Sequence, residues 1–166
     1  MRRLLWLAAA CLVAGAAAAE PLGEGDALPA IALADQHGDV RRVDAEVRVV
    51  LFSRDMDGGA VVRTALDRDP ALLERHAAVY VSDVSRMPAL VRGLIAKPRM
   101  RRRPYPVLLD EEGDATAALP SREGRPTVLL LEAGRIRRVA YPETPEALVA
   151  LLTGVPIPQE ASGEPD

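Results

Sequence analysis

The sequence predicts an α/β sandwich with a mixed, partly parallel sheet, and three observations carry that prediction. Short apolar runs with the length of buried strands alternate with stretches of helical period, the pattern of β-α-β units. Turns containing glycine join further pairs of runs as hairpins, and a hairpin adds an antiparallel edge. Hydrophobic residues make up 49% of the chain and aromatics only 3%, so Leu, Val, Ile and Ala must fill the core. The 166 residues suffice for one domain of ordinary size.

The elements follow in order. Residues 31–34 and 40–43 flank Asp35-Gln36-His37-Gly38-Asp39 and read as a hairpin. Residues 47–53, Val-Arg-Val-Val-Leu-Phe-Ser, form a buried strand. Residues 54–59 make a turn, and a helix follows over about 59–66 with Ala60, Val61, Ala65 and Leu66 spaced at three to four. Asp69 and Pro70 read as the N-cap and first-turn proline of a second stretch through His76. Residues 78–82 are another buried strand. Residues 88–96 read as an amphipathic helix that turns Leu90, Val91, Leu94 and Ile95 inward. Residues 97–104 form a basic loop, and 106–109 a strand closed by Asp110-Glu111-Glu112-Gly113. Residues 127–131 and 136–141 pair as a hairpin across Glu132-Ala133-Gly134-Arg135. Thr144 caps a last helix over 145–152, with Glu146 in its first turn. Residues 155–166, rich in proline and acids, read as a disordered tail.

Arg2 and Arg3 precede an uncharged run over 4–19 that ends in Ala17-Ala18-Ala19, the pattern of a cleaved secretory signal peptide. The run is short for a spanning helix, and its second half is mostly Ala. An uncleaved anchor and acylation of Cys11 are the rival readings. Cleavage before Glu20 leaves a domain over 20–154, a periplasmic or secreted location and no stable membrane span. It also removes Cys11, the only cysteine. Disulfides, cysteine metal sites and dithiol motifs within one chain are thereby excluded. The net charge of −3 carries no basic surplus, so nucleic acid is not an expected partner. All but one of the 21 basic residues are Arg, the exception being Lys97.

Several segments in sequence order resemble the thioredoxin superfamily. Arg125-Pro126-Thr127 and the hairpin after it look like the family's cis-proline strand. Tyr105-Pro-Val-Leu-Leu-Asp-Glu-Glu-Gly-Asp resembles the preceding segment in TlpA-type thiol-disulfide oxidoreductases and peroxiredoxins. Pro29-Ala-Ile-Ala-Leu-Ala-Asp-Gln-His-Gly resembles their N-terminal hairpin. The resemblance covers about residues 26–153 and implies a thioredoxin-like three-layer sandwich. That sandwich has an N-terminal β-hairpin and a βα insertion before the cis-proline strand. It also implies that Asp57 stands at the nucleophilic cysteine position, Ala60 at the resolving one and Leu51 at a buried carboxylate. Exchange chemistry needs sulfur at both ends, so thiol-disulfide exchange and thiol peroxidase activity are excluded for the mature chain.

Each remaining candidate has a structural and a functional reading. Asp55 and Asp57 either cap the helix or form a binding pair beside the proline loop. Gly58 and Gly59 either ease the helix entry or let an anion approach its N-terminus. In the family, the backbone before the cis proline pairs with an extended peptide, which here implicates Arg125, Pro126 and Thr127. Lys97, Arg99, Arg101, Arg102 and Arg103 form either a solvated run or a loop that docks phosphate or carboxylate groups, of a flavin or nucleotide, an acidic partner protein or anionic lipid headgroups. His37 and His76 lie in separate segments, and no metal site is expected. Two function classes follow. One is a catalytically inactive binding module of the cell envelope, taking an unidentified envelope protein or peptide and no cofactor. The other is a flavin-dependent oxidoreductase of dehydrogenase type, or a phosphate-ligand binder, clamping FMN or FAD with the 99–103 loop.

Overall fold

The computed structural model describes residues 20–154; the expected signal peptide and C-terminal tail lie outside the described residues. The element order is β1 (Ile31–Ala34), β2 (Val40–Val43), β3 (Val49–Ser53), α1 (Met56–Arg68), α2 (Leu72–Arg75) and β4 (Ala78–Asp83). Then come α3 (Ala89–Val91), a π-turn (Arg92–Ala96), α4 (Lys97–Met100), β5 (Leu108–Asp110), β6 (Thr127–Glu132), β7 (Arg135–Ala140) and α5 (Pro145–Thr153).

Five strands form one sheet in the order β5-β4-β3-β6-β7. Strands β3, β4 and β5 run parallel, while β6 and β7 are antiparallel to their neighbours. The predicted mixed α/β sheet is therefore present, and the C-terminal hairpin supplies its antiparallel edge. The N-terminal hairpin instead makes its own two-stranded sheet, joined to β5 by a bridge between Asp35 and Leu108.

Strand alternation divides the core. Val49 and Leu51 face the layer of α1, α2 and α5, with Leu66, Leu72, Leu148 and Leu152. Val50 and Phe52 face the other layer, the hairpin and its flanking loops, with Ile31, Leu119 and Ile136. These four β3 residues are fully buried, as a central strand covered on both faces requires.

Local chemistry sets the turns. The carboxylate of Asp35 accepts N–H bonds from His37, Gly38 and Asp39 and pairs with Arg41. Burial opposes its charge, but these donors outweigh that penalty and hold its carboxyl below the usual range. Ala133 and Gly134 both have positive φ, 48° and 74°, the two-residue turn that fits the twist of paired strands. Thr144 caps α5 by accepting from the Ala147 N–H at 3.1 Å, as expected.

Four expectations are corrected. Helix α1 begins at Met56 rather than near Gly59, because Asp55 supplies its N-cap. Helix α2 has Ala71 at its cap, and Asp69 holds the turn through the Ala71 N–H and an ion pair with Arg75. The basic loop is helical over Lys97–Met100, continuous with the segment before it. Leu90, Val91, Leu94 and Ile95 do not turn inward; they are 73%, 38%, 71% and 47% exposed. Arg92 and Lys97 occupy the inner side instead, both bound to Glu111. The wide turn makes this possible, since the Lys97 N–H bonds the Arg92 carbonyl five residues back. It ends two residues before Pro98, whose ring and missing N–H oppose a regular helix there.

Candidate functional site

Helix α1 begins where β3 ends, and one carboxylate closes that corner. Asp55 Oδ1 accepts from the Gly58 N–H at 2.7 Å, and Oδ2 accepts from the Gly124 N–H at 2.9 Å. The helix start is thereby tied to the 121–126 loop. Gly58 permits the close approach: a Cβ there would lie 2.6 Å from the Arg125 carbonyl carbon and 2.9 Å from the Pro126 nitrogen. A Cβ at Gly59 would press on the Arg63 guanidinium at 2.5 Å, the movable end of a flexible chain, and make ordinary contact with Ser53 Oγ at 3.5 Å. The third and fourth N–H groups of the helix are spent, because Gly58 bonds the Asp55 side chain and Gly59 its carbonyl. An anion approaching there finds those donors occupied and the Asp57 carboxylate at the rim.

No cis peptide bond occurs among the described residues, so the expected cis bond at Pro126 is trans. Trans is the lower-energy isomer of an X–Pro bond, and the tight Arg122–Arg125 turn delivers the chain to β6 without the alternative. The Arg125 N–H donates to the Arg122 carbonyl at 3.2 Å. Its guanidinium pairs with Glu143 at 2.7 Å, and Arg122 stacks over the Tyr141 ring at 4.3 Å. The Thr127 hydroxyl is buried and donates to the Pro120 carbonyl at 2.7 Å. Asp55, Gly58, Gly59, Arg125, Pro126 and Thr127 thus come together, mostly through structural bonds. Asp57 stands exposed at their edge beside Met56, itself 69% exposed.

The cations of 97–103 do not join this corner and do not converge. Lys97 pairs with Glu111 at 2.5 Å. Arg101 Nε donates to the Gln36 carbonyl at 3.0 Å. Arg103 binds Asp67 at 2.9 Å, near the far end of α1 and roughly 18 Å along it from the capped end. Tyr105 donates to the same Asp67 at 2.6 Å; burial and that bond push its hydroxyl pKa up. Arg99 and Arg102 remain exposed. A pocket of about 420 Å³, lined by Glu46, Leu73, Pro104 and Tyr105, opens near the start of β4, away from Asp55. Among the described residues no three metal-ligating side chains cluster.

Sequence reasoning missed the polar pins at the carboxyl ends of the parallel strands. Arg54 lies 3.3 Å from Asp83, at an angle too poor for a hydrogen bond from Nε. It also donates to the Thr116 carbonyl at 2.6 Å and to Ser121. Asp110 is buried and accepts from Gly113, the Thr116 N–H and the Thr116 hydroxyl. Below them Ser53, Tyr80 and Ser82 form a buried hydroxyl network. The available signal was position: each acid or Arg sits at or just past a strand end, where α/β sheets gather polar groups.

With this geometry established, comparison with solved structures places the architecture. Peroxidoxin BcpB from Mycobacterium tuberculosis matches with a TM-score of 0.54 and 19% identity, over 78% of this chain and 94% of that one. The thioredoxin domain of a thiol-disulfide oxidoreductase from Bacteroides vulgatus matches with a TM-score of 0.51 and 13% identity, over 79% and 99%. The fold is thioredoxin-like. A peroxiredoxin-like protein from Aquifex aeolicus shares this thioredoxin-like fold, with a TM-score of 0.52 and 10% identity over 83% and 90%. No protein-family model and no curated protein matches the chain. Within the thioredoxin-like fold, residues 20–154 hold no cysteine, and the chain's single one is Cys11. Among the described residues no helix is long and apolar enough to cross a membrane.

Proposed function

We propose that the protein is an exported binding module of the cell envelope, with no thiol redox chemistry and no cofactor of its own. One observation carries the reading: the start of α1 presents Asp57 and Ala60 to solvent, and residues 20–154 contain no thiol. A carboxylate and a methyl group cannot form or resolve a mixed disulfide. The binding face is the exposed pair Met56 and Asp57, beside Arg125, whose backbone Gly58 abuts and whose guanidinium pairs with Glu143. An exposed apolar side chain inside a charged rim is the composition of a modest protein-contact surface. Because the Arg125 N–H is already bonded to Arg122, side chains rather than an added strand make the contact. Export rests on Arg2, Arg3 and the apolar run that ends in Ala17-Ala18-Ala19.

The test expresses the full chain in an export-competent host. The recovered protein is expected to begin at Glu20, to be colourless and to take up no added FMN. It is expected to reduce insulin disulfides and hydroperoxide no faster than buffer. A photo-crosslinker at Met56 should then give a discrete adduct in envelope extract that Asp57→Arg abolishes. Catalytic turnover in either assay, or stoichiometric flavin, overturns the reading.

A further inference from the structure

The helical segment 89–100 is amphipathic in reverse. Its apolar residues Leu90, Val91, Leu94 and Ile95 face solvent, and none of its residues is buried. Its inner side is charged except at Met100, which packs against the core. Arg92 binds Glu111 and donates to the carbonyls of Val84 and Glu111, and Lys97 binds the same carboxylate. These bonds fix which way the segment is turned, so the apolar stripe is held outward rather than left by loose packing.

Charge continues the pattern. Residues 86–103 contain seven of the chain's 21 cations and no carboxylate, in a protein whose net charge is −3. Arg86, Arg99 and Arg102 are exposed, and no carboxylate pairs with them among the described residues. Arg99 follows Ile95 by one turn, so the stripe runs into the unpaired cations, and Arg86 lies before its start.

We propose that 89–100 is a membrane-docking surface that lies in the headgroup region of an anionic bilayer. The four aliphatic side chains enter the acyl boundary, and Arg86, Arg99 and Arg102 meet lipid phosphates. Two features favour lipid over a protein groove. The stripe is wholly aliphatic, without the Trp, Tyr or Arg anchors that concentrate binding energy at protein contacts. The free cations lie at both ends of it, which suits a continuous sheet of phosphates better than a single acidic spot. The inference does not rest on the Met56–Asp57 reading.

A local probe tests it in the full chain. The variant Leu94→Trp with Trp6→Phe has its single tryptophan on the stripe. With phosphatidylglycerol vesicles at low salt its emission should shift to the blue and be quenched by brominated acyl chains. Arg99→Glu with Arg102→Glu in that background should lower vesicle affinity at least about 25-fold, taking about fivefold per arginine. Phosphatidylcholine vesicles should leave the emission unchanged. An unchanged spectrum with anionic vesicles overturns the proposal, as does an equal shift with phosphatidylcholine. A lipid-free blue shift that grows with protein concentration means a second copy covers the stripe. One independent of concentration means the chain's own N-terminal segment covers it. Either of these overturns the proposal and leaves the Met56 crosslinking result untouched.

Discussion

Helix α5 buries Leu148 and Leu152 completely, whereas the segment 89–100 leaves Leu90 and Leu94 73% and 71% exposed. Both stretches carry aliphatic residues at helical spacing. They differ in what shares the helix with those residues. The core side of α5 holds no charge, and its only acid, Glu146, points outward to Arg68. The segment 89–100 has Arg92 and Lys97 with a half-buried acceptor, Glu111, waiting on the loop after β5. Which side of a helix faces inward is decided by the better partner on offer, and a carboxylate held in place outbids an apolar surface already covered.

Truncation should separate the two most sharply. Leu148→Ala should cost about 2–5 kcal/mol, because a filled core closes poorly around the lost atoms. Leu94→Ala should change stability by no more than about 0.5 kcal/mol, since its side chain meets mainly water. Paired urea unfolding curves check both, and a large loss at Leu94 would mean that something covers the stripe.

Closed and open packing also meet within α1. Gly58→Ala drives a Cβ into the Arg125 backbone and should cost about 1–3 kcal/mol. Gly59→Ala, one residue on, crowds only the movable Arg63 side chain and should be neutral or stabilising by up to about 1 kcal/mol through helix propensity. In thermal melts Gly58→Ala should fall while Gly59→Ala holds or rises. Equal losses would show that the glycine pair serves the helix entry as a unit.

Much of the fold was legible in these terms. Hairpins, buried strands and the Thr144 cap are local, and their residues declare them. The direction of 88–96 was not legible, because Glu111, which decides it, comes fourteen or more residues after the lysine and arginine it binds. The capping role of Asp55 could be read from position, but its second bond to Gly124 could not, since 69 residues separate them. The basic run misled for a related reason. Composition reports how many cations are close in sequence, whereas Glu111, Asp67 and the Gln36 carbonyl dispersed them in space.

A smaller effect sharpens the comparison at the level of one bond. Glu111→Gln keeps the shape of the acceptor and removes its charge, so Arg92 and Lys97 lose their shared counter-charge. Amide exchange across 92–100 should quicken, while exchange in α5 and the global melting temperature stay nearly unchanged. Equal quickening in α5 would mean that the segment is part of the core after all.

The smallest effect concerns a group buried without a partner, the converse of aliphatics exposed without a cover. His76 is 3% exposed, and its Nδ1 makes no hydrogen bond. Desolvation first, then the neighbouring Arg75, lower its pKa below the ordinary 6.5. Above that value both folded and unfolded chains hold the ring neutral, and it contributes no pH dependence. As pH falls below 6.5 the unfolded chain binds the proton while the folded chain resists it, so stability declines until the folded pKa is reached. His76→Gln should flatten this part of the curve. Melting temperatures of the two proteins between pH 7.5 and pH 5 would read it, the wild type losing more than the variant. Parallel curves would mean that the folded protein accepts the proton at His76 by opening α2 to water.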